Sequence, residues 1–300
     1  MRLIFLLLLG LASCHTCLAQ NSIPLYQGAV PNNLPLEKDP EHTVDRPGGG
    51  RAFFDTAIPT LTIYQPPSPN GRAIIVCPGG GYVKTAFDKE GSWVAERLVE
   101  DSITVFVLKY RIPQAKVNIN PSLAPLQDAQ KAIRHVRTHA SAYGLNQNQI
   151  GIMGFSAGGH LAASAATHFT SPAQSDLSDT TSVRPDFAML IYPVISFTDS
   201  LTHLGSRTQL LGPSPDEAAI QQWSGEQQVS ASTPPTFLVH AADDRSVKVE
   251  NSIAFYQACL EAGVSAEMHL YARGGHGFGM YNKTTADDWV ERLINWLRTL

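Results

Sequence analysis

A serine between two glycines is the first feature of this sequence that suggests chemistry. In the run "IGIMGFSAGGHLAAS", Ser156 follows a short apolar stretch, with Gly154 and Gly158 two positions to either side. A nucleophile at the end of a buried strand needs a tight turn that aims its hydroxyl outward, and small residues let the strand and the next helix approach closely. The pattern therefore predicts a nucleophilic serine. The structural alternative is a Gly-rich helix start with Ser156 as its N-cap.

A serine hydroxyl is a poor nucleophile near neutral pH and needs a base that is itself held by an acid. "HAADDRSV" places Asp243 and Asp244 after an apolar run, and "GGHGFG" places His276 in a glycine-lined loop after the next one. The order Ser, Asp, His is the one expected for a serine on a strand-to-helix turn. The residues alone leave the acid open between Asp243 and Asp244.

A glycine run before the serine could supply backbone N–H donors for the negative charge that develops during acyl transfer. "IIVCPGGGY" is a strand candidate that runs into Gly79, Gly80 and Gly81, whose N–H groups could face the oxyanion formed when a hydroxyl adds to a carbonyl. The N–H of Ala157 would be the second donor. A phosphate-binding loop is the alternative for the glycines, but the run lacks both the G-x-G-x-x-G spacing and the Lys-Ser/Thr of a P-loop.

Short apolar runs alternate with segments of helical period over most of the chain. The strand candidates are "TLTIYQP", "AIIVCP", "ITVFVLKY", "IGIMGF", "FAMLIYPV", "TFLVHA" and "EMHLYA". Three helical stripes are Leu126, Ala129, Ile133, Val136 and Ala140; Val249, Ile253, Tyr256 and Leu260; and Trp289, Leu293, Trp296 and Leu300. This alternation predicts an α/β fold with a mainly parallel central sheet and helices on both faces. Residues 198–234 lack clear strand signals and are expected to form at most a small cap.

At this point a family resemblance can be stated. "CPGGGY", "DKEG", "LKYRIP", "GFSAGGHLA", "HAADDRSV" and "GGHGFG" occur in this order over residues 61–300. Together they resemble the α/β-hydrolase esterases grouped with bacterial acetylxylan esterases and related carbohydrate esterases of the BD-FAE type. The resemblance implies an α/β-hydrolase fold and a serine esterase activity.

The resemblance also implies roles for individual residues. Ser156 would be the nucleophile and His276 the general base and then the general acid. The family's H-x-x-x-D-x-x-V run places the acid at Asp244, with Asp243 as the fallback. The oxyanion donors would be Gly80, Gly81 and Ala157, and Tyr82 would lie near the substrate. Glu90, Arg111 and Asp128 are expected to form buried ion pairs near the same edge of the sheet, because a lone buried charge is costly.

Composition narrows the classes of partner and cofactor. With 22 basic and 26 acidic side chains the net charge is −4, which offers no basic surface for nucleic acid. No Cys/His/Asp/Glu spacing typical of a metal site occurs, so no metal or other cofactor is predicted. Cys77 and Cys259 lie in apolar segments and are expected to be separate buried thiols rather than a disulfide.

The N-terminus predicts export. Arg2 precedes "LIFLLLLGLA", an apolar stretch of the length of a signal-peptide core and too short to span a bilayer. Residues 1–19 are therefore expected to be a signal peptide. "LASC" resembles a lipoprotein signal, which would make Cys14 a lipid anchor and the only membrane contact; ordinary cleavage near Ala19 remains the alternative. Residues 20–56 are expected to be an extended leader with little regular structure, and residues 57–300 a single α/β-hydrolase domain.

The sequence thus predicts an exported periplasmic or secreted serine esterase. Its expected substrates are short acyl esters, acetyl above all, on plant cell-wall polysaccharide such as xylan or its oligosaccharides. One alternative is a serine peptidase of the prolyl-oligopeptidase type, which shares the catalytic domain but usually carries a long additional domain. The other is a hydrolase-fold binding protein without turnover.

Overall fold

The computed structural model describes residues 21–173 and 179–300. The expected signal peptide and the expected lipid anchor at Cys14 lie outside the described residues. Within those two ranges, no helix is both long enough and apolar enough to cross a bilayer.

An eight-stranded sheet forms the centre of the fold. In chain order the strands of the molecule are β1 (Asn21–Pro24), β2 (His42–Arg46), β3 (Gly50–Phe54), β4 (Thr60–Tyr64), β5 (Ala73–Cys77), β6 (Lys84–Thr85), β7 (Thr104–Lys109), β8 (Ile150–Phe155), β9 (Phe187–Ile191), β10 (Thr236–Ala241) and β11 (Ala266–Tyr271). The central sheet has the order β1-β4-β7-β5-β8-β9-β10-β11. The strands from β7 to β11 pair in parallel, and β1 and β4 add two antiparallel pairings at one edge. The predicted α/β class with a mainly parallel sheet is confirmed.

Helices cover both faces of this sheet. They are α1 (Trp93–Val99), α2 (Ala124–Thr138), α3 (Ala157–Thr167), α4 (Leu204–Leu211), α5 (Glu217–Gln222), α6 (Glu250–Glu261) and α7 (Trp289–Leu297). Side chains of α2, α3 and α6 share one hydrophobic cluster, and those of α1 and α7 share the other. Alternate residues of β5 divide between the two clusters: Ile75 and Cys77 join the first, Ile74 and Val76 the second. A strand buried on both faces has no polar side, which explains its continuously apolar sequence.

Helix α6 buries a different face from the one its apolar spacing predicts. Ile253 and Leu260 are 41% and 49% exposed, whereas Asn251 and Ser252 are buried. The polar pair is buried because it is hydrogen-bonded. The Asn251 Oδ1 atom accepts the N–H groups of Ile195 and Ser196, and the Ser252 hydroxyl lies 2.8 Å from the imidazole of His240. Tertiary hydrogen bonds thus decide the orientation of α6, and the predicted stripe is wrong there.

The segment expected to be an irregular leader contains three strands. Strand β1 extends the central sheet by pairing with β4, and β2 and β3 form a hairpin that β6 extends into a second, three-stranded sheet. The expectation of little regular structure over residues 20–56 is therefore wrong. The runs "HTVDR" and "GRAFF" on either side of a Pro-Gly-Gly turn are a hairpin signal that the composition of the segment obscures.

Candidate active site

Ser156 lies on a sharp turn between β8 and α3. Its φ of 53° is in the left-handed region, which a residue other than glycine rarely adopts. A Cβ on Gly154 would lie 1.9 Å from the Gly158 carbonyl oxygen, and one on Gly158 would lie 2.1 Å from the Cys77 carbonyl oxygen. Only glycine therefore fits at these two positions. Ser156 occupies the N-cap position of α3, but its side chain makes no capping hydrogen bond.

Three polar side chains from distant parts of the chain meet at this turn. The Ser156 hydroxyl donates to His276 Nε2 at 2.8 Å, and His276 Nδ1–H donates to Asp244 Oδ2 at 2.6 Å. These directions follow because an ionised carboxylate only accepts, which places the imidazole proton on Nδ1. Ser156 follows β8, Asp244 follows β10 and His276 follows β11, so all three stand at the carboxyl ends of parallel strands.

The carboxylate of Asp244 is surrounded by donors. Its Oδ1 atom accepts the N–H groups of Ser246 and Val247, both at 2.9 Å, and its Oδ2 atom also lies 3.2 Å from His240 Nε2. Burial by itself would raise the pKa of Asp244, but the hydrogen bonds from His240, His276 and Val247 outweigh it and hold the pKa well below its usual range. The carboxylate therefore stays ionised beside His276. His240 thus helps to hold Asp244, a contribution that is not visible in the sequence.

The neighbouring Asp243 has a different contact. It is exposed, and its Oδ1 atom accepts the N–H of Gly275 at 2.7 Å. Asp243 thus ties down the loop that carries His276, while Asp244 contacts the imidazole.

The glycine run after β5 passes beside Ser156. A Cβ on Gly79 would lie 3.0 Å from the Ser156 Cβ atom, and Gly80 and Gly81 have φ values of 137° and 67°. The Gly79 N–H is used by Glu90, whose Oε2 atom accepts it at 2.9 Å. Among the hydrogen bonds of the described residues, none uses the N–H of Gly80, Gly81 or Ala157. Gly80 and Gly81 also line the cleft at Ser156, whereas Ala157 is buried directly after the serine.

A buried carboxylate connects the glycine loop to the His276 loop. Glu90 Oε1 accepts the Tyr192 hydroxyl at 2.8 Å, and the same hydroxyl oxygen accepts the Gly279 N–H at 3.0 Å. The Tyr192 ring also packs against His276, with 5.1 Å between ring centroids. Burial and the charge of Glu90 raise the pKa of Tyr192 well above its ordinary value, so the phenol remains a donor.

The ion pairs expected of Glu90, Arg111 and Asp128 are present only in part. Arg111 and Asp128 are both buried and form a pair with 2.8 Å between Nη2 and Oδ1. Arg111 also donates to the Pro31 carbonyl oxygen and thereby ties the N-terminal segment to the sheet. Glu90 joins no ion pair in the described part of the chain, and the partners of its carboxylate are the neutral groups of Gly79 and Tyr192.

A cleft of about 360 Å³ opens at Ser156 and His276. Gly80 and Gly81 line it on one side, and His203, which precedes α4, also lines it. Its other wall includes Arg46, Gly49 and Gly50 of the β2–β3 hairpin. No motif around Ser156 includes these hairpin residues, which precede it by more than a hundred positions and share only the lining of the cleft. The volume lies within the range of small-molecule sites in proteins.

Tyr82 is not where the sequence predicts it. Its side chain is 1% exposed, does not line the cleft, and lies 2.8 Å from His160 Nδ1 through its hydroxyl oxygen. Tyr82 instead packs in the core under the glycine loop, and the expectation that it lies near the substrate is wrong. Burial lowers the pKa of His160 to about 4, so this imidazole is neutral and its Nε2–H donates to the Trp223 carbonyl oxygen.

The expected thiols and possible metal ligands can be located in the fold. Cys77 and Cys259 are separate, buried and free. No group of three His, Cys, Asp or Glu side chains within the described ranges is placed to hold a metal ion.

A family model and two curated relatives match most of this chain. The family model BD-FAE matches residues 61–259, more than half of the chain. An acetylxylan esterase of Xylanibacter ruminicola is 36% identical over 80% of this chain and 48% of its own length. The endo-1,4-beta-xylanase B of Butyrivibrio fibrisolvens is 34% identical over 72% of this chain and 34% of its own length. The chain thus spans half or less of the length of these two relatives.

A solved structure matches over nearly its whole length. The acetyl ester-xyloside bifunctional hydrolase of Caldicellulosiruptor lactoaceticus superimposes with a TM-score of 0.78 and 37% identity, covering 93% of this chain and 96% of the other. Together with the sheet order and the matched family model, this likeness assigns the chain. It belongs to the BD-FAE family and has the α/β-hydrolase fold.

Proposed function

We propose that this protein is a serine esterase that removes short acyl groups, acetyl above all, from xylan or related plant cell-wall polysaccharide. The observation that carries the proposal is the continuous pair of hydrogen bonds from Ser156 through His276 to Asp244, beside three unused backbone N–H groups. A nucleophile, a base held in one tautomer and oxyanion donors are the complete set that acyl transfer requires.

Acylation begins when Ser156 Oγ attacks the ester carbonyl carbon and its proton passes to His276 Nε2. Asp244 stabilises the imidazolium that forms and keeps its Nδ1–H in place. The tetrahedral oxyanion accepts hydrogen bonds from two or more of the N–H groups of Gly80, Gly81 and Ala157. The bond to the sugar oxygen then breaks, and the proton on Nε2 passes to that oxygen as the alcohol leaves.

Deacylation repeats the sequence with water. His276 Nε2 takes a proton from the water as its oxygen attacks the acetyl group on Ser156. Collapse of the second tetrahedral intermediate releases acetic acid, and the proton returns to the Ser156 oxygen. The three backbone donors serve both steps, so a preorganised oxyanion site lowers both barriers.

The substrate class rests on likeness. A relative named as an acetylxylan esterase and a structural neighbour named as an acetyl ester-xyloside hydrolase both support an acetylated xylan-type substrate. The cleft of about 360 Å³ at Ser156 has room for a short acyl group.

The test compares substrate classes on one preparation. Acetate release from acetylated xylan is measured beside p-nitrophenyl esters of increasing acyl length and a prolyl dipeptide amide, with Ser156→Ala as the matched control. We expect turnover of acetylated xylan and of the shortest esters, and none with the variant. Cleavage of the amide in preference to esters would favour the peptidase. Failure of a fluorophosphonate to label Ser156 in the folded protein would favour the non-catalytic binding protein.

We further propose that the chain is exported, as periplasmic or secreted protein, and that Cys14 is its lipid anchor when the lipoprotein signal is used. The support is Arg2 and the apolar stretch at positions 3–12, the end of which overlaps "LASC" at positions 11–14. Mass spectrometry of the N-terminal peptide of protein from the producing cell gives the answer: a diacylated Cys14, or a start near residue 20 without lipid. An uncleaved N-terminus on cytoplasmic protein would refute export.

A further inference from the structure

A second cavity adjoins the cleft at Ser156. It has a volume of about 930 Å³, and His276 and Lys89 line both cavities. The turn of the β2–β3 hairpin borders both as well, with Gly48 on the larger cavity and Gly49 and Gly50 on the smaller. A molecule bound over Ser156 can therefore extend into the larger space, which we call the outer groove.

The outer groove contains an unusual pair of side chains. Trp93 and Tyr281 are 41% and 69% exposed and both line it. They are the only exposed Phe, Trp or Tyr side chains in the described part of the chain. Scattered exposed aliphatic residues are ordinary on protein surfaces, but aromatic rings that converge on one open cavity mark a binding surface.

Both aromatic residues lie on backbone segments that the fold holds in place. Trp93 is the first residue of α1, directly after the helical turn formed by residues 88–92. The segment before Tyr281 is fixed by the Gly279 N–H, which donates to Tyr192, and by the Gly279 carbonyl oxygen, which accepts the Trp289 indole N–H at 3.1 Å. A backbone that is already ordered adds no loop-ordering cost when a ligand binds.

Polar side chains line the outer groove together with glycines and the apolar Phe278 and Met280. Glu96, Lys283 and Asn282 line it beside the two aromatic residues. A pyranose ring presents apolar C–H bonds on its faces and hydroxyl groups around its edge, so aromatic rings flanked by hydrogen-bonding groups match it on both counts. A purely aliphatic acyl chain could form no hydrogen bond with exposed side chains such as Glu96 and Lys283.

We propose that the outer groove is a subsite for the polysaccharide chain, in which Trp93 and Tyr281 stack on sugar units next to the one whose ester lies at Ser156. The proposal rests on the proposed esterase function, and it adds that the enzyme recognises several linked pyranose units rather than a single acetylated sugar. The acyl group enters the smaller cleft, and the chain leaves it past His276 and Lys89.

Kinetics on a long and a short substrate test this assignment. We expect the double substitution Trp93→Ala/Tyr281→Ala to lower kcat/KM for acetylated xylan about a hundredfold relative to kcat/KM for p-nitrophenyl acetate, about tenfold for each ring, which corresponds to about 1.4 kcal/mol each. The loss should appear mainly in KM. Ile119→Ala is the control, because Ile119 is 71% exposed and lines neither cavity. An equal loss on both substrates, or no loss on either, would overturn the assignment.

Binding without turnover separates this inference from the esterase proposal. The other three tryptophans of the described chain, Trp223, Trp289 and Trp296, are at most 4% exposed, so Trp93 should account for any ligand-dependent change in emission. Titration with unacetylated xylohexaose should shift or quench the fluorescence of the wild type, and Trp93→Phe should abolish that change. If the wild type cleaves no ester, the esterase proposal fails. The titration still shows whether the outer groove binds an oligosaccharide. An unchanged spectrum at saturating oligosaccharide would refute the subsite.

Discussion

Glu90 provides the sharpest test of how the fold holds the site together, through the substitution Glu90→Gln. The buried carboxylate accepts the Gly79 N–H with one oxygen and the Tyr192 hydroxyl with the other. Glutamine has nearly the same shape but only one acceptor oxygen, so one of the two charge-assisted hydrogen bonds is lost; an amide N–H that faces Tyr192 instead leaves the phenol proton without its acceptor. The first link leads to the glycine loop beside Ser156 and the second to the loop that carries His276.

The expected magnitude follows from these contacts. A hydrogen bond to a charged group contributes about 1.5–3 kcal/mol, so the free energy of unfolding should fall by about that amount. The backbone donors of Gly80 and Gly81 remain in the variant. We therefore expect kcat to fall about tenfold, which is less than the roughly hundredfold or greater loss caused by removing an oxyanion donor.

The assay combines urea unfolding with turnover of p-nitrophenyl acetate for Glu90→Gln, Tyr192→Phe and the double variant. Because the two side chains share one hydrogen bond, the cycle should give a coupling energy of about 1 kcal/mol or more. Glu100→Gln is the control, since the Glu100 side chain is 73% exposed and its replacement should change stability by less than about 0.5 kcal/mol. Full activity and unchanged stability of Glu90→Gln, or additive effects in the cycle, would refute the reasoning.

Three other substitutions test separate parts of the structure. Asp244→Asn should lower kcat up to about 10⁴-fold by removing the acceptor that fixes the imidazole tautomer, whereas Asp243→Asn should lower kcat far less. A larger loss for Asp243→Asn in steady-state kinetics would show that Asp243 is the acid. Arg111→Met should destabilise the fold by about 3–5 kcal/mol in urea unfolding because it leaves Asp128 buried without its partner, and a loss below about 1 kcal/mol would contradict that view. Burial lowers the pKa of His160 to about 4, below its value near 6.5 in the unfolded chain, so the unfolded state binds the extra proton and stability should fall as the pH drops from about 6.5 to about 4. His160→Gln should make the dependence of Tm on pH shallower over that window, and an unchanged slope would show that His160 contributes nothing to it.

Much of the arrangement could be predicted from the sequence because it is encoded locally. Continuous apolar runs predict the strands of the parallel sheet, and the strands from β4 to β11, apart from the two-residue β6, appear where these runs lie. The close approach that Gly154 and Gly158 predict around Ser156 is present, since neither position leaves space for a Cβ atom. These inferences succeed because strand burial and turn sterics depend on neighbours in the chain.

Other features depended on partners far away in sequence. The exposed Ile253 and the buried Asn251 of α6 reverse the choice that hydrophobic spacing favours, because Asn251 finds two backbone N–H groups near residue 195. Tyr82 follows the glycine loop directly, yet its ring turns into the core toward His160. Neither a helical period nor a motif position records where a hydrogen-bond partner will be.

The sequence by itself determined which groups are available for chemistry and that a parallel sheet would bring them to one edge. The residues left the acid open between Asp243 and Asp244, and the family resemblance favoured Asp244, the residue whose carboxylate contacts His276 in the fold. Only the tertiary structure decided that a hairpin from the N-terminal segment walls the cleft and that Trp93 and Tyr281, nearly two hundred positions apart, line one groove. The physical reason is that sequence patterns report the burial and turning of a segment, whereas the surroundings of a site are set by which segments pack against each other.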